Sequence, residues 1–199
     1  MSLKRLKLSK ALSISNKKIV LFRIVSFGYN ALMKHIHRRS FRQEFVWPAP
    51  PLNVVLVEPE IPPNTGNIAR LCAATGAHLH LAGQLGFRLN DAKLKRAGLD
   101  YWPAVNLHRH ADLTEILGNG ANRFFLFSTA GKKSYLSVSY RPGDYLIFGS
   151  ESKGLPDYLL EKYPDQTLGI PMQTDLVRSL NLATAVGIAL YEALRQIQQ

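Results

Sequence analysis

The 199-residue sequence has one cysteine, Cys72, so it can form no internal disulfide and offers no cysteine-rich metal cluster. That usage suits a reducing cytosol. Cys72 lies within an apolar helical pattern and is expected to be a buried small hydrophobe rather than a nucleophile. No run of eighteen or more uncharged apolar residues occurs, so no membrane span is expected and the chain is assigned to the cytoplasm. The GxGxxG fingerprint is missing as well, which argues against a Rossmann dinucleotide site. Internal repeats and low-complexity tracts are also lacking.

Acidic residues are scarce overall, 14 against 25 Lys and Arg, and the net charge is +11. The imbalance is local. Residues 1–50 hold eleven Lys or Arg and a single acid, Glu44, while 51–199 carry fourteen bases and thirteen acids. The body is therefore nearly neutral, and the global charge says little about its partner. Three readings of the basic segment compete: a flexible arm gripping phosphates, a transit-type targeting sequence, or an upstream extension with translation starting later, for instance at Met33. The composition changes at Pro48-Ala49-Pro50-Pro51, which divides the chain into a basic extension, 1–50, and one ordered domain, 51–199.

From Leu52 onward short β-branched apolar runs alternate with helical patterns. Strands are expected at 52–57, 78–81, 104–107, 123–127, 144–148 and 168–171. Helices are expected at 64–75, 90–97, 113–117, 156–162 and 180–196, with Asn64 and Ser179 as N-caps and Gly76 closing the first. This alternation implies an α/β fold: a parallel sheet covered by helices on both faces.

Ligands of open α/β sheets gather at the carboxyl ends of strands, and three segments there are rich in glycine and polar residues. The first is Pro62-Pro63-Asn64-Thr65-Gly66-Asn67-Ile68-Ala69-Arg70, in which Asn67 and Arg70, three apart, share a helix face. The second runs from Phe148 to Pro156. Gly149 and Gly154 permit a sharp turn there, and Glu151 is a candidate acceptor. The third is Ile170-Pro171-Met172, followed by Ser179-Leu180-Asn181 at the entry to a last helix that is apolar around much of its circumference. Such a helix must be covered on more than one side, as packing on the sheet and on a second subunit would achieve.

In this order the three segments resemble motifs 1, 2 and 3 of the SPOUT superfamily of RNA ribose 2′-O-methyltransferases. The likeness is closest to the TrmL (YibK-like) group, which acts at the tRNA wobble position. Residues 57–72, 95–101 and 143–149 carry it nearly residue for residue, and it spans about 52–197. It implies a C-terminal deep trefoil knot, S-adenosylmethionine as methyl donor, no metal, a homodimer joined through the last helix, and the tRNA anticodon stem-loop as partner. Carried onto this chain, the donor-binding positions are Phe127, Gly149, Ile170 and Ser179, with Met172 and Asn181 in the same segments. Arg70, Asn64 and Glu151 take the catalytic positions, and Asn67, Lys133 and Tyr191 are candidates for substrate contact. A guanidinium is a poor base, so Arg70 is expected to orient the 2′-oxygen and stabilise developing charge. On this reading Gly149→Val abolishes donor binding and leaves the fold.

Two rivals share the fold: an enzyme acting on ribosomal RNA or another tRNA position, and a non-catalytic RNA-binding protein. Of the six histidines, His35/His37, His78/His80 and His108/His110 are each spaced by two, which on a strand puts a pair on one face. Without convergent Cys or carboxylate ligands, metal binding is not expected of them.

Overall fold

The computed structural model describes residues 45–88, 99–118, 120, 122–173 and 176–198. The basic segment 1–44 and the helix expected at 90–97 lie outside these. Residues 46–199 group as a single compact unit. Its centre is a sheet of seven strands: β1 (Asn53–Val57), β2 (His78–Ala82), β3 (Leu107–His110), β4 (Phe124–Phe127), β5 (Lys133–Ser134), β6 (Tyr145–Phe148) and β7 (Thr167–Gly169). Their order is β3-β2-β1-β6-β4-β7-β5, and every pairing is parallel. Four α-helices accompany it among the described residues: α1 (Pro62–Thr75), α2 (Thr114–Leu117), α3 (Asp157–Lys162) and α4 (Leu182–Ile197).

The strands are short and apolar because both faces are covered. All five residues of β1 are buried. One face presents Val55, Val57, Ala82, Leu126 and Ile147 to Leu113, Ile116, Leu155 and Leu159, which lie on or beside α2 and α3. Alternation sends Val54, Leu56, Leu79, Leu81, Leu146 and Phe148, all buried, to the other face. There α1 and α4 pack on each other and on the sheet. Cys72, fully buried in α1, has its thiol pushed up to about 12 by desolvation, as an inert core residue should.

Four local expectations need correction. Helix α1 begins two residues early, at Pro62, with Ile61 at the N-cap and no side-chain cap. Proline suits the first helical positions because their N–H groups have no helical partner. That frees the Asn64 side chain for other work. At α4 the cap is Asn181, whose side chain accepts from Ala183 N and Thr184 N, and not Ser179. The strand expected at 104–107 is displaced to Leu107–His110, because Leu99–Ala104 forms a 3-10 helix. Finally, Lys133 and Ser134, where no strand is expected, pair with Leu168 and Gly169 as the edge strand β5. Two residues are too short to leave a period-2 signature.

Leu126 sits on β4, between β6 and β7, with no exposed surface. Leu126→Ala is expected to cost about 2–5 kcal/mol of unfolding free energy in urea denaturation, through lost burial and an unfilled cavity.

Candidate active site

At the carboxyl end of β1, Glu58 adopts a left-handed φ of 48°, and the chain then runs through Pro59 and Glu60 into α1. Loop 149–155 leaves the neighbouring strand β6 at the same edge. Here the Glu151 carboxylate accepts hydrogen bonds from Glu60 N (2.8 Å), Ile61 N (3.3 Å) and Asn64 Nδ2 (2.9 Å). In the reverse direction Glu60 accepts from Ser152 Oγ (2.7 Å) and Ser152 N (3.2 Å). The two loops are thus clamped by two carboxylates, each holding the other loop.

The chain of bonds continues. A carboxylate can only accept, so Asn64 must turn its amide nitrogen to Glu151 and its Oδ1 outward. That oxygen accepts from Asn181 Nδ2 at 2.9 Å. Asn181 then has its own Oδ1 left for the first amides of α4, which it caps. One directed series, α4 amides to Asn181 to Asn64 to Glu151, therefore ties all three motif segments together. Asn64 is 7% exposed, so the joint is largely shielded from water.

Beside it an apolar cavity opens at the carboxyl ends of β4 and β7. Its walls are Phe127, Ser128, Thr129, Leu168, Ile170, Met172 and Leu180. Phe127 is held by ring stacking on Phe148, with centroids 4.6 Å apart. The floor depends on close backbone approach: a Cβ on Gly131 would fall 2.3 Å from Leu168 C, and one on Gly169 2.6 Å from Gly131 O. Three of the six expected donor-binding residues, Phe127, Ile170 and Met172, line this cavity. Gly149, Ser179 and Asn181 do not. Gly149 has a different physical reason, since a Cβ there would lie 1.9 Å from Gly154 C and 2.2 Å from Leu155 N. It lets the loop fold back on itself.

The candidate substrate residues are more dispersed. Asn67 and Arg70 lie on the exposed side of α1, as their spacing indicates, beyond the buried turn that holds Asn64. Tyr191 is 53% exposed on α4. Lys133 lies on the edge strand and is ion-paired to Asp165 at 2.8 Å. Sequence reasoning missed Glu60 and Ser152 in the clamp, and Ser128, Thr129, Leu168 and Leu180 in the cavity. Glu60 carried the same signal as Glu151, an acid in a turn at a strand end. The cavity wall carried none, because its residues come from three separated segments.

The fold and this joint define a methyltransferase of known class: the chain belongs to the SpoU rRNA Methylase family, whose pattern matches residues 51–191. Among curated relatives, the tRNA (cytidine(34)-2′-O)-methyltransferase of Escherichia coli (strain K12) is 49% identical over 148 residues, covering 73% of this chain and 94% of that protein. A solved structure described as giving insights into 2-OH methylation of C/U34 on tRNA is 53% identical. It has a TM-score of 0.68 and covers 73% of this chain and 95% of the other. The methyltransferase AviRb from Streptomyces viridochromogenes, solved in complex with AdoMet, is 27% identical with a TM-score of 0.62, covering 80% of this chain and 63% of that one.

Two outcomes check the geometry. Asn64→Ala takes one of three donors from Glu151 and leaves the Asn181 amide unpaired, and is expected to lower stability by about 1–3 kcal/mol in urea titration. In a double-mutant cycle with Asn181→Ala the combined loss should fall short of the sum of the single losses, because the Asn64–Asn181 bond is counted in both, while the loss of the α4 cap remains. Gly149→Val is expected to disturb the loop itself, lowering the thermal midpoint as well as donor binding. This departs from the expectation of an intact fold.

Proposed function

We propose that this chain transfers a methyl group from S-adenosylmethionine to the ribose 2′-hydroxyl of the wobble nucleotide, cytidine or uridine, in the tRNA anticodon loop. The observation that carries the reading is the hydrogen-bonded union of the three motif segments beside the apolar cavity. Near-50% identity to relatives named for the nucleotide-34 reaction favours that RNA over ribosomal RNA. The cavity suits the donor: its aromatic and aliphatic walls accept the adenosyl portion, and Ser128 and Thr129 place hydroxyl groups at its edge. When bound, S-adenosylmethionine supplies an electrophilic sulfonium methyl.

The protein's residues then have to position and polarise the attacking hydroxyl. Arg70 presents a planar fork of donors for a ribose oxygen and an adjacent phosphate. Its chemistry suits stabilising charge that develops on the 2′-oxygen. Asn67, one turn before it on the same exposed face, is the neighbouring hydrogen-bonding group. Glu151 and Asn64 act as positioning residues, because their polar atoms are committed to the clamp and so set where α1 and Arg70 lie. Gly149 and Asn181 fall in the same role around the donor, through loop shape and through the α4 cap, and Ser179, exposed just before that cap, is kept as a donor contact.

We assign the domain to 51–199 and its C-terminal part to a trefoil knot. In support, β7 enters the sheet between β4 and β5, both formed earlier in the chain, and α4 follows. A homodimer laid against α4 would cover Tyr191, which is exposed on that helix. None of the described helices is long and apolar enough to cross a membrane, and a cytoplasmic site of action follows from the proposed tRNA substrate.

The test is methyl transfer from labelled S-adenosylmethionine to bulk tRNA, with nuclease mapping of the product. Label at the wobble ribose is expected. Label only in ribosomal RNA, or none despite donor binding, would overturn the assignment. Arg70→Lys should lose most activity, roughly two orders of magnitude or more, with donor affinity unchanged in equilibrium binding.

A further inference from the structure

A second cluster of polar side chains lies on the edge strand β3 and its inner neighbour β2. His78 and His80 on β2, and His108 and His110 on β3, are each two residues apart and so project from the same face. The parallel pairing sets His80 beside His108. The His80 and His108 ring centroids are 4.6 Å apart, and His78 lies 5.2 Å from His108. One ring nitrogen from each of His78, His80 and His108 lies within 4.8 Å of the other two, the one grouping of this kind among the described residues.

Their surroundings are organised. His80, 5% exposed, has Nδ1 at 2.9 Å from His110 Nε2, and His110 Nδ1 is 3.1 Å from the Glu115 carboxylate. Glu115 is itself fixed by Ala111 N at 2.9 Å. On the other side His80 Nε2 meets Asn53 Oδ1 at 3.0 Å, and Asn53 donates its amide to Gly143 O. His78 Nε2 is 2.8 Å from Asn106 Nδ2. His108 Nε2 differs from all of these: it is enclosed and has no hydrogen-bond partner. A buried ring nitrogen with nothing to bond is costly, and its ring stands among those of His78 and His80.

We propose that His78, His80 and His108 form a zinc site, distinct from the methyl-transfer site and serving to pin β3 to β2. Imidazole donors without thiolate or carboxylate select zinc or a late first-row ion over magnesium or calcium. Three imidazoles with one open position for water are an established zinc donor set. Two ligands of a tetrahedral zinc stand about 3.3 Å apart, from bond lengths near 2.0–2.1 Å. The nitrogens must therefore close by about 1.5 Å at most per pair. Rotation of the partly exposed His78 and His108 rings provides that movement, with the near-parallel stack on His80 opening. The His110–Glu115 pair is a support of the kind that orients metal-bound histidine. It holds His80 Nδ1, and when the ion replaces Asn53 at Nε2 the His80 proton sits on Nδ1 and is donated to His110 Nε2. The pairing of β2 with β3 supplies what each i, i+2 pair lacks by itself, a third imidazole.

The experiment is zinc titration of the full chain after chelator treatment. Bound metal is counted by elemental mass spectrometry after gel filtration, and the ligands are read by X-ray absorption. Roughly one zinc per chain in a nitrogen shell is expected. His78→Gln and His108→Gln should each weaken binding by more than about tenfold, while retaining S-adenosylmethionine binding, which reports the fold. His35→Gln/His37→Gln should leave zinc binding unchanged. No retained zinc, or zinc lost with His35 and His37 but kept without His78 and His108, would overturn the proposal.

Discussion

The Glu151 carboxylate is the constraint on which the site depends. It is a pure acceptor placed where three donors from another loop converge. Because it cannot donate, it dictates the orientation of the Asn64 amide, which dictates that of Asn181, which leaves an oxygen free to cap α4. The direction of every bond follows from one ionised group. Three chain segments, the first separated from the other two by 87 and 117 residues, are held in one geometry by this directed series.

That geometry makes positional precision available without chemistry in the joint itself. The clamp takes up the polar atoms of Glu151 and Asn64, and beside it stand the exposed face of α1 with Asn67 and Arg70 and the cavity wall after β4 and β7. Glycine works towards the same end. Gly131, Gly149 and Gly169 stand where another backbone comes closer than a Cβ allows. The loops can therefore pack on one another and keep the cavity's shape.

Much of the architecture was legible in the chain. Short apolar runs separated by helical patterns implied a covered parallel sheet, and six of the seven strands fall on or beside expected segments. The errors have a common cause. Asn64 and Ser179 are good caps by residue type, yet capping preference is worth only about 1 kcal/mol. Tertiary partners outweighed it: Asn64 was taken by Glu151 and Asn181, and the cap of α4 passed to Asn181. The edge strand Lys133–Ser134 exists because β7 lies beside it, and nothing within two residues could announce that.

The sequence by itself determined which residue types stand at the strand ends, which faces of α1 and α4 are apolar, and that Cys72 belongs to the core. Those properties depend on local period and composition. Tertiary structure alone decided which side chains meet. It made Glu151 a clamp, gathered the cavity wall from three segments, and brought two histidine pairs together across β2 and β3. Such contacts depend on strand order and register, and in a parallel sheet these are set by crossovers far longer than any local pattern.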